Sequence, residues 1–344
     1  MLKQTLKSQI GHAANLLGFN QRKRKEKVTI FMYHRVLTPA QYEACQFEKS
    51  LAIETTAFRK HLAYVKANFE VISPKTFLQL NKNAATLKRT SNKPLALLTF
   101  DDGWRDNFEN AFPLLQEFQL PAVIFLATGF IGTDKGFWWQ LLGDALIHLI
   151  QEGDHQKWQQ VTDKLPKSMG MGKNIPMEVA SLQSIIYQAK QLPSRQLNEL
   201  ADTIYQIAEL PIATHALNWE QVKIMSREGI YFGAHTIDHA ILTELDQAAT
   251  EKQIIQSIET IKEQGLTNYT PIFCYPNGDW NSTVLDVLKK TDSLAAVTTE
   301  TALADPQTKQ PFLHPRINVT NALADDPGLL EFRLFRAGVT KAVH

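Results

Sequence analysis

The chain has 344 residues, 44% of them hydrophobic and 21% charged, which is typical of a globular chain with a large core and excludes disordered and fibrous proteins. Its 36 lysines and arginines nearly balance 35 aspartates and glutamates, so we expect no nucleic-acid partner. Two cysteines, Cys45 and Cys274, are too few for a disulfide framework, and we expect no zinc-thiolate site.

The first 27 residues form an arm that differs from the rest of the chain. Apolar residues recur there every three or four positions, which predicts one apolar face of a helix. The arm has a charge of +6, and the remaining chain has a charge of −5. A basic amphipathic helix can lie on an anionic membrane or pack on the domain, and both interpretations stay open. The apolar residues are Leu2, Leu6, Ile10, Ala13 and Leu17, and the basic ones are Lys3, Lys7, Arg22, Lys23, Arg24, Lys25 and Lys27.

No secretory signal or membrane-spanning segment is evident in the sequence. The longest apolar stretch, from Ala122 to Ile131, is about half as long as a membrane-spanning helix. We therefore expect a cytoplasmic location, with peripheral attachment to the inner membrane face if the arm binds lipid.

From Val28 onwards, short apolar runs alternate with helical periodicity, the order typical of an α/β fold with a parallel sheet. This order predicts a distorted (β/α) barrel over residues 28–320, with residues 321–344 as a C-terminal tail or helix. The predicted strands are Val28–Tyr33, Leu95–Phe100, Pro121–Thr128, Ile230–Ala234, Pro271–Tyr275, Ala295–Thr299 and Arg316–Val319.

Strand patterns disappear between about residues 137 and 217, where several polar helices interrupted by prolines are predicted. We interpret this segment as a helical insertion in the barrel. Insertions after barrel strands often lie over the carboxyl ends of the strands, so this one could shape a substrate cleft or form a peripheral bundle.

The strand that starts at Leu95 ends in two adjacent carboxylates, Asp101 and Asp102, followed by a glycine. Like charges at the end of a buried strand must be paired, hydrogen-bonded or bound to a cation. The structural alternative is a helix N-cap.

Two histidines, His235 and His239, follow another predicted strand with three residues between them. Neutral imidazoles at this spacing can bind one metal ion, although such a pair alone is weak evidence. A carboxylate from another strand end would complete a site with two histidines, one carboxylate and an open position.

A tight turn, Tyr275-Pro276-Asn277-Gly278, follows a later strand and could direct a backbone N–H into a site. His34 and Arg316 lie at the end of the first strand and the start of the last. Three tryptophans near these segments, Trp104, Trp138 and Trp139, are candidate sugar contacts, although most tryptophans belong to the core.

The segments TFDDG, HTIDH and Tyr-Pro-Asn-Gly, in this order, resemble the motifs of the polysaccharide deacetylases with NodB homology. The resemblance extends from Val28 to Val319. It is strongest to a branch with a YHRV strand, here Tyr33–Val36, and an FWW segment, here Phe137–Trp139. It implies a distorted seven-stranded barrel and a metal-dependent amidase for N-acetylated sugars.

The resemblance implies that Asp101 is the general base and that Asp102, His235 and His239 bind one divalent metal ion. Zinc is the first choice of metal, with cobalt, nickel or iron as alternatives. Tyr275, Pro276 and Gly278 match the family's substrate-binding turn.

Many members of the family have an arginine at the position of Cys274, where it holds the catalytic aspartate. Arg316 from the neighbouring strand is our candidate substitute. His34 is our candidate for the catalytic acid, because its strand resembles the family's late Leu-x-His strand displaced to the N-terminus, and His314 is the competitor.

The first functional hypothesis is hydrolysis of the N-acetyl group of an amino sugar in a poly- or oligosaccharide during cell-surface glycan biosynthesis. A second is a deacetylase or deformylase of a lipid-linked sugar at the inner membrane face. A third is a barrel that binds saccharide without turnover.

Overall fold

A computed structural model describes residues 2–16, 24, 26–45, 49–82, 91–172, 174–211 and 215–338. The chain divides into a larger unit of residues 1–43, 49–132 and 216–344 and a smaller unit of residues 44–48 and 133–215. The larger unit contains every strand described below, and the smaller one is helical.

Parallel strands form the framework of the larger unit. In chain order they are β1 (Val28–Tyr33), β2 (Arg35–Leu37), β3 (Ala52–Glu54), β4 (Glu70–Val71), β5 (Leu95–Phe100), β6 (Ala122–Leu126), β7 (Ile230–Ala234), β8 (Tyr269–Cys274), β9 (Ala295–Val297) and β10 (Ile317–Asn318). Seven of them follow one another in the order β10, β1, β5, β6, β7, β8 and β9, and β4 pairs with the start of β5. Strands β2 and β3 pair with each other in a separate small sheet.

The segment that leads into β10 connects the two ends of this strand order. His314 forms a parallel bridge with Val297 of β9, and Ile317 pairs with Phe31 of β1. The sheet therefore curls into a distorted barrel of seven parallel strands, which confirms the predicted fold.

Alternate strand residues fill the inside of the barrel. Val28 and Ile30 of β1 and Leu97 of β5 belong to one buried cluster, together with Phe77 from the helix Pro74–Lys82. Because side chains alternate along a strand, the same side of β1 and β5 leads onward to His34 and Asp101. The predicted chemistry therefore lies at the carboxyl ends of the strands, where active sites of parallel α/β folds are found.

Helices flank the sheet of the larger unit, and the described part of the smaller unit contains four α-helices of 10 to 15 residues. In the described residues no helix has the length and hydropathy needed to cross a membrane. In chain order the helices are α1 (Leu2–Leu16), α2 (Pro39–Ala44), α3 (Thr55–Asn68), α4 (Pro74–Lys82), α5 (Phe112–Phe118), α6 (Trp138–Glu152), α7 (His155–Lys164), α8 (Val179–Ala189), α9 (Ser194–Ala208), α10 (Trp219–Arg227), α11 (Gln247–Glu263), α12 (Ser282–Leu288), α13 (Asn321–Asp325) and α14 (Pro327–Ala337).

Helix α1 packs against α14 through small side chains. The Ser8 hydroxyl donates a 2.9 Å hydrogen bond to Asp326, and any side chain at Gly11 would collide with the backbone of Gly328. Ala14 is buried on the same side. Residues 2–16 of the arm thus form a helix packed on the domain, as one of the two interpretations predicts.

The apolar face predicted for the arm is not the face that packs. Leu6 and Ile10 are 59% and 43% exposed. Leu17, Arg22, Lys23 and Lys25 lie outside the described residues, as do residues 339–344 of the predicted C-terminal tail. The close approach to α14 selects small residues, so hydrophobic spacing alone does not identify the buried side of α1.

The smaller unit has its own hydrophobic core. Side chains from α6, α7, α8 and α9 form one buried cluster that includes Leu146, Trp158, Ile185 and Ile204. Trp138 is half-buried and packs against this cluster.

A buried histidine outside the barrel predicts acid sensitivity of the fold. The Nε2 atom of His61 lies 2.8 Å from the Tyr33 hydroxyl, and burial lowers the pKa of His61 to about 3. Below the usual pKa near 6.5, the imidazole of His61 is protonated in the unfolded chain but stays neutral in the folded chain. The free energy of unfolding therefore falls as the pH decreases from about 6.5 towards 3.

We expect His61→Gln to reduce the loss of unfolding free energy between pH 7 and pH 5 by about 2 kcal/mol, as measured by urea denaturation. The control is His155→Gln, the same substitution at an exposed position. An unchanged pH dependence in His61→Gln would contradict the assignment.

Candidate active site

Asp101 and Asp102 share one location because the backbone turns sharply between them. Asp101 continues the pairing of β5 with β1, since its N–H donates to the carbonyl of Tyr33 at 3.0 Å. Asp102 has a φ of +75° and Gly103 a φ of +80°, both in the left-handed region. Consecutive residues of a regular strand point to opposite faces, and this turn ends that alternation. Both carboxylates are buried, at 3% and 1% exposure.

Arg316 holds the Asp101 carboxylate from inside the barrel. Its two terminal nitrogens each lie 2.7 Å from a different oxygen of Asp101, which is a bidentate ion pair. The guanidinium also donates to the Thr298 carbonyl, the Thr99 hydroxyl and the Cys274 sulfur. Burial opposes ionisation of Asp101, but Arg316 outweighs it and keeps the pKa below its usual value. Asp101 is therefore an ionised carboxylate next to the site.

Asp102 points one oxygen at two imidazoles. Its Oδ1 lies 3.4 Å from Nε2 of His235 and 3.5 Å from Nε2 of His239, and this buried oxygen has no hydrogen-bond partner among the described residues. The three donor atoms lie within 4.8 Å of one another. An oxygen and two imidazole nitrogens that converge in this way fit a divalent metal ion.

The hydrogen bonding of His235 supports the same conclusion. Its Nδ1 lies 2.8 Å from the carbonyl oxygen of Cys274, so Nδ1 is the protonated donor and Nε2 faces Asp102. Burial opposes a charge on His235, but Cys274 and Asp102 outweigh it and raise the pKa well above its usual value. Burial lowers the pKa of His239 to about 4. A metal ion would therefore displace a proton from His235.

A second group of potential ligands, Asp101, His235 and Cys274, also lies within 4.8 Å. This group is a poor metal site because the cationic Arg316 contacts both Asp101 and the Cys274 sulfur. The Nδ1 atom of His235 is already bonded to a carbonyl. We therefore assign the metal-capable site to Asp102, His235 and His239.

Trp104 corrects one sequence-based prediction. It was expected to contact sugar, but it has 0% exposure and its indole N–H donates a 2.8 Å hydrogen bond to Oδ2 of Asp102. The bond fixes one carboxylate oxygen and leaves the other for the two histidines. Trp104 therefore orients a candidate metal ligand rather than a sugar.

A further layer behind Trp104 was not recognised from the sequence. The guanidinium of Arg35 lies 4.4 Å from the centre of the Trp104 ring, a cation–π contact. Arg35 donates to Asp106 at 2.9 Å, and the other oxygen of Asp106 accepts from the Val36 N–H. Ionic and aromatic contacts thus hold the ring that holds Asp102.

The two histidines considered for the acid lie in different surroundings. Nε2 of His34 is 3.9 Å from Asp101, and the side chain of His34 is 14% exposed. His314 is buried, with Nε2 3.2 Å from the Asn81 amide and its ring packed edge-on against Phe77. His34 is thus beside the predicted base, and His314 is among side chains of the barrel interior.

The turn from Tyr275 to Gly278 makes contacts with its neighbours that the sequence does not predict. The N–H of Tyr275 donates to the Val297 carbonyl at 3.3 Å, so this N–H is engaged in the sheet. Pro276 is buried, and a side chain at Gly278, where φ is +82°, would collide with Thr299. Substrate binding by these three residues stays a prediction.

Trp138 and Trp139 belong to the smaller unit. Trp139 is buried and stacks on Phe137 with ring centres 5.0 Å apart. Their predicted contact with sugar is not tested by this packing and stays a prediction.

The family model for polysaccharide deacetylases matches residues 88–162 and 190–295, which is more than half of the chain. The chain belongs to the polysaccharide deacetylase family. It is accordingly a hydrolase of carbon–nitrogen bonds other than peptide bonds, and its general activity is deacetylation of glycans.

Similar proteins agree with this family. YxkH of Bacillus subtilis (strain 168), whose name gives polysaccharide deacetylase as an inferred activity, is 22% identical over 300 residues, covering 87% of this chain and 73% of YxkH. The Streptococcus pyogenes deacetylase PplD, solved with acetate, has a TM-score of 0.58 at 18% identity, covering 89% of this chain and 98% of PplD. IcaB from Ammonifex degensii has a TM-score of 0.55 at 16% identity, covering 89% of this chain and 97% of IcaB. A de-N-acetylase from Aggregatibacter actinomycetemcomitans has a TM-score of 0.53 at 14% identity, covering 86% of this chain and 95% of that enzyme.

We expect Trp104→Phe to weaken binding of a divalent metal by about 10- to 100-fold, because it removes the hydrogen bond that orients Asp102. Competition with a chelator measures the affinity. The matched control is Trp158→Phe, which removes a partly buried indole hydrogen bond to the Ile175 carbonyl in the smaller unit. Equal metal affinity of the two variants would refute the role of Trp104.

Proposed function

We propose that this deacetylase is metal-dependent and removes the N-acetyl group of an amino sugar in a poly- or oligosaccharide of cell-surface glycan biosynthesis. The observation that supports this most is the carboxylate of Asp101, ionised by Arg316, directly beside the metal-capable group Asp102, His235 and His239. The fold shared with a de-N-acetylase supports the choice of an N-acetyl group.

Asp102, His235 and His239 would hold the metal, with zinc as the first choice and cobalt, nickel or iron as alternatives. When bound, such an ion polarises a carbonyl and lowers the pKa of water at the site.

The chain's own residues supply the proton transfers. Asp101 accepts a proton from the attacking water while the water oxygen forms a bond to the acetyl carbon. His34 donates a proton to the sugar nitrogen as the carbon–nitrogen bond breaks. The products are acetate and the free amine, and each proton transfer contributes about 10²- to 10⁴-fold to the rate.

Arg316 acts as a positioning residue for Asp101 in this proposal. Its two hydrogen bonds fix both oxygens of the base, and its charge keeps the carboxylate deprotonated. A lysine could supply the charge but not the planar pair of bonds.

The test uses purified protein loaded with metal and a set of N-acetylated oligosaccharides and nucleotide sugars and of N-acetylated or N-formylated lipid-linked sugars, with released acetate or formate as the readout. We expect metal-dependent acetate release. Asp101→Asn should retain the metal and lower kcat by at least about 10²-fold. Saccharide binding without any released acid would instead support a binding barrel.

A second candidate substrate is a lipid-linked sugar at the inner membrane face, and a cytoplasmic location is part of the same proposal. The observation that favours it is the exposed apolar side of α1, formed by Leu6, Ile10 and Ala13. Lys7 is exposed on this helix, and the arm is +6 by sequence. Among the described residues of the arm, Arg24 and Lys27 form ion pairs with Glu331 and Asp305, whereas the exposed Lys7 can attract anionic lipid.

We expect the whole protein to bind vesicles of phosphatidylcholine with phosphatidylglycerol and to bind vesicles of phosphatidylcholine alone less. Leu6→Gln with Ile10→Gln should reduce cosedimentation by at least about 10-fold, because two side chains that enter the membrane are removed. The control is Ile255→Gln with Leu294→Gln, which changes two aliphatic residues of similar exposure, 36% and 42%, elsewhere on the surface. Equal binding of the two double variants would contradict membrane contact through α1.

A further inference from the structure

The loop from His235 to His239 contains both histidines of the metal-capable site and has an unfavourable backbone. Thr236 has a φ of +65° and His239 a φ of +53°, in the left-handed region that non-glycine residues avoid. A β-branched threonine is especially unfavourable there. The surrounding structure must therefore maintain the conformation of this loop.

Gln253 of α11 binds the centre of the loop. Its Oε1 accepts hydrogen bonds from the N–H of Ile237 at 2.9 Å and the N–H of Asp238 at 3.2 Å. Its Nε2 donates to Oδ2 of Asp238 at 3.1 Å. One side-chain amide thus makes three hydrogen bonds to two residues that lie between the histidines.

Backbone contacts hold the other side of the same loop. The N–H groups of Thr128 and Gly129 donate to the carbonyls of Thr236 and Ile237, at 3.1 Å and 2.8 Å. A Cβ at Gly129 would lie 2.7 Å from Asp238, so the two segments are in close contact. The loop is therefore clamped between a backbone segment and the Gln253 amide, and the amide can be changed without altering the main chain.

We propose that Gln253 is a positioning residue that sets the separation of His235 and His239 and so preorganises the metal site. This inference rests on the proposed metal dependence. Without the three hydrogen bonds the loop relaxes towards ordinary backbone angles, and the two imidazoles no longer meet the Asp102 oxygen in one place. Outer partners of metal ligands typically change metal affinity by about 10- to 100-fold.

The decisive variants separate hydrogen bonding from packing. Gln253→Met keeps the length of the side chain and removes all three bonds. Gln253→Glu keeps the acceptors but places a second carboxylate against Asp238. Combined with Asp238→Asn, the glutamate again accepts from both N–H groups and receives a hydrogen bond from the new amide, so the three bonds are restored with one of them reversed.

We expect Gln253→Met to weaken zinc binding by about 10- to 100-fold in chelator competition and to speed hydrogen exchange at residues 236–239 of the metal-free protein. Gln253→Glu should be at least as impaired, and the combination with Asp238→Asn should recover most of the affinity and the slow exchange. The control is Gln247→Met, which removes an exposed bond to Glu251 on the same helix.

Wild-type affinity and wild-type exchange in Gln253→Met would overturn the proposal, as would a double variant no better than Gln253→Glu. If the wild-type protein binds no divalent metal, the proposed metal dependence fails. Faster exchange of the loop in Gln253→Met, reversed in the double variant, would then still support the positioning role.

Discussion

A guanidinium buried inside the barrel links the closure of the sheet to the chemistry at its end. Arg316 lies in the segment that connects β9 with β1 and has 0% exposure. Its donors are used by Asp101, Thr99, Thr298 and Cys274, which follow or belong to strands on both sides of that closure. A buried cation is tolerated only when it is paired and its N–H groups are satisfied. The same five bonds therefore help to close the barrel and ionise the predicted base.

The two adjacent carboxylates avoid repulsion because each has a different partner. Asp101 is neutralised by Arg316, whereas Asp102 faces two imidazoles and receives the indole N–H of Trp104. The left-handed turn at Asp102 makes this division possible, since it directs the second carboxylate away from the position that a regular strand would give it. Because both carboxylates are buried, loss of the partner of either one would leave an unpaired charge in a medium of low polarity and would destabilise the fold.

Much of this arrangement could be predicted from the sequence, and physical reasons also explain which parts could not. Strands buried on both faces produce continuous apolar runs, so Val28–Tyr33 and Leu95–Phe100 are visible as strands, and polar residues at their ends stand out. Burial of Trp104 could not be predicted, because an aromatic ring beside a site suits both a sugar and a carboxylate. Gln253 gives no local signal, since it reaches the histidine loop from a separate helix. The packing side of α1 depends on a close backbone approach that hydrophobic spacing does not report.

The burial of the site residues also limits what they can select. Asp101, Asp102, His235 and Arg316 are almost wholly buried, whereas the side chains of His34 and His239 are each 14% exposed. In the proposed reaction an amide would therefore approach the carboxylates past these two imidazoles. In the proposed reaction the rest of the glycan would lie outside this buried group, so these residues would recognise little beyond the acyl–nitrogen linkage. Selection of the sugar and of the chain length would then come from the loops after the strands, which can change without disturbing the buried ion pair.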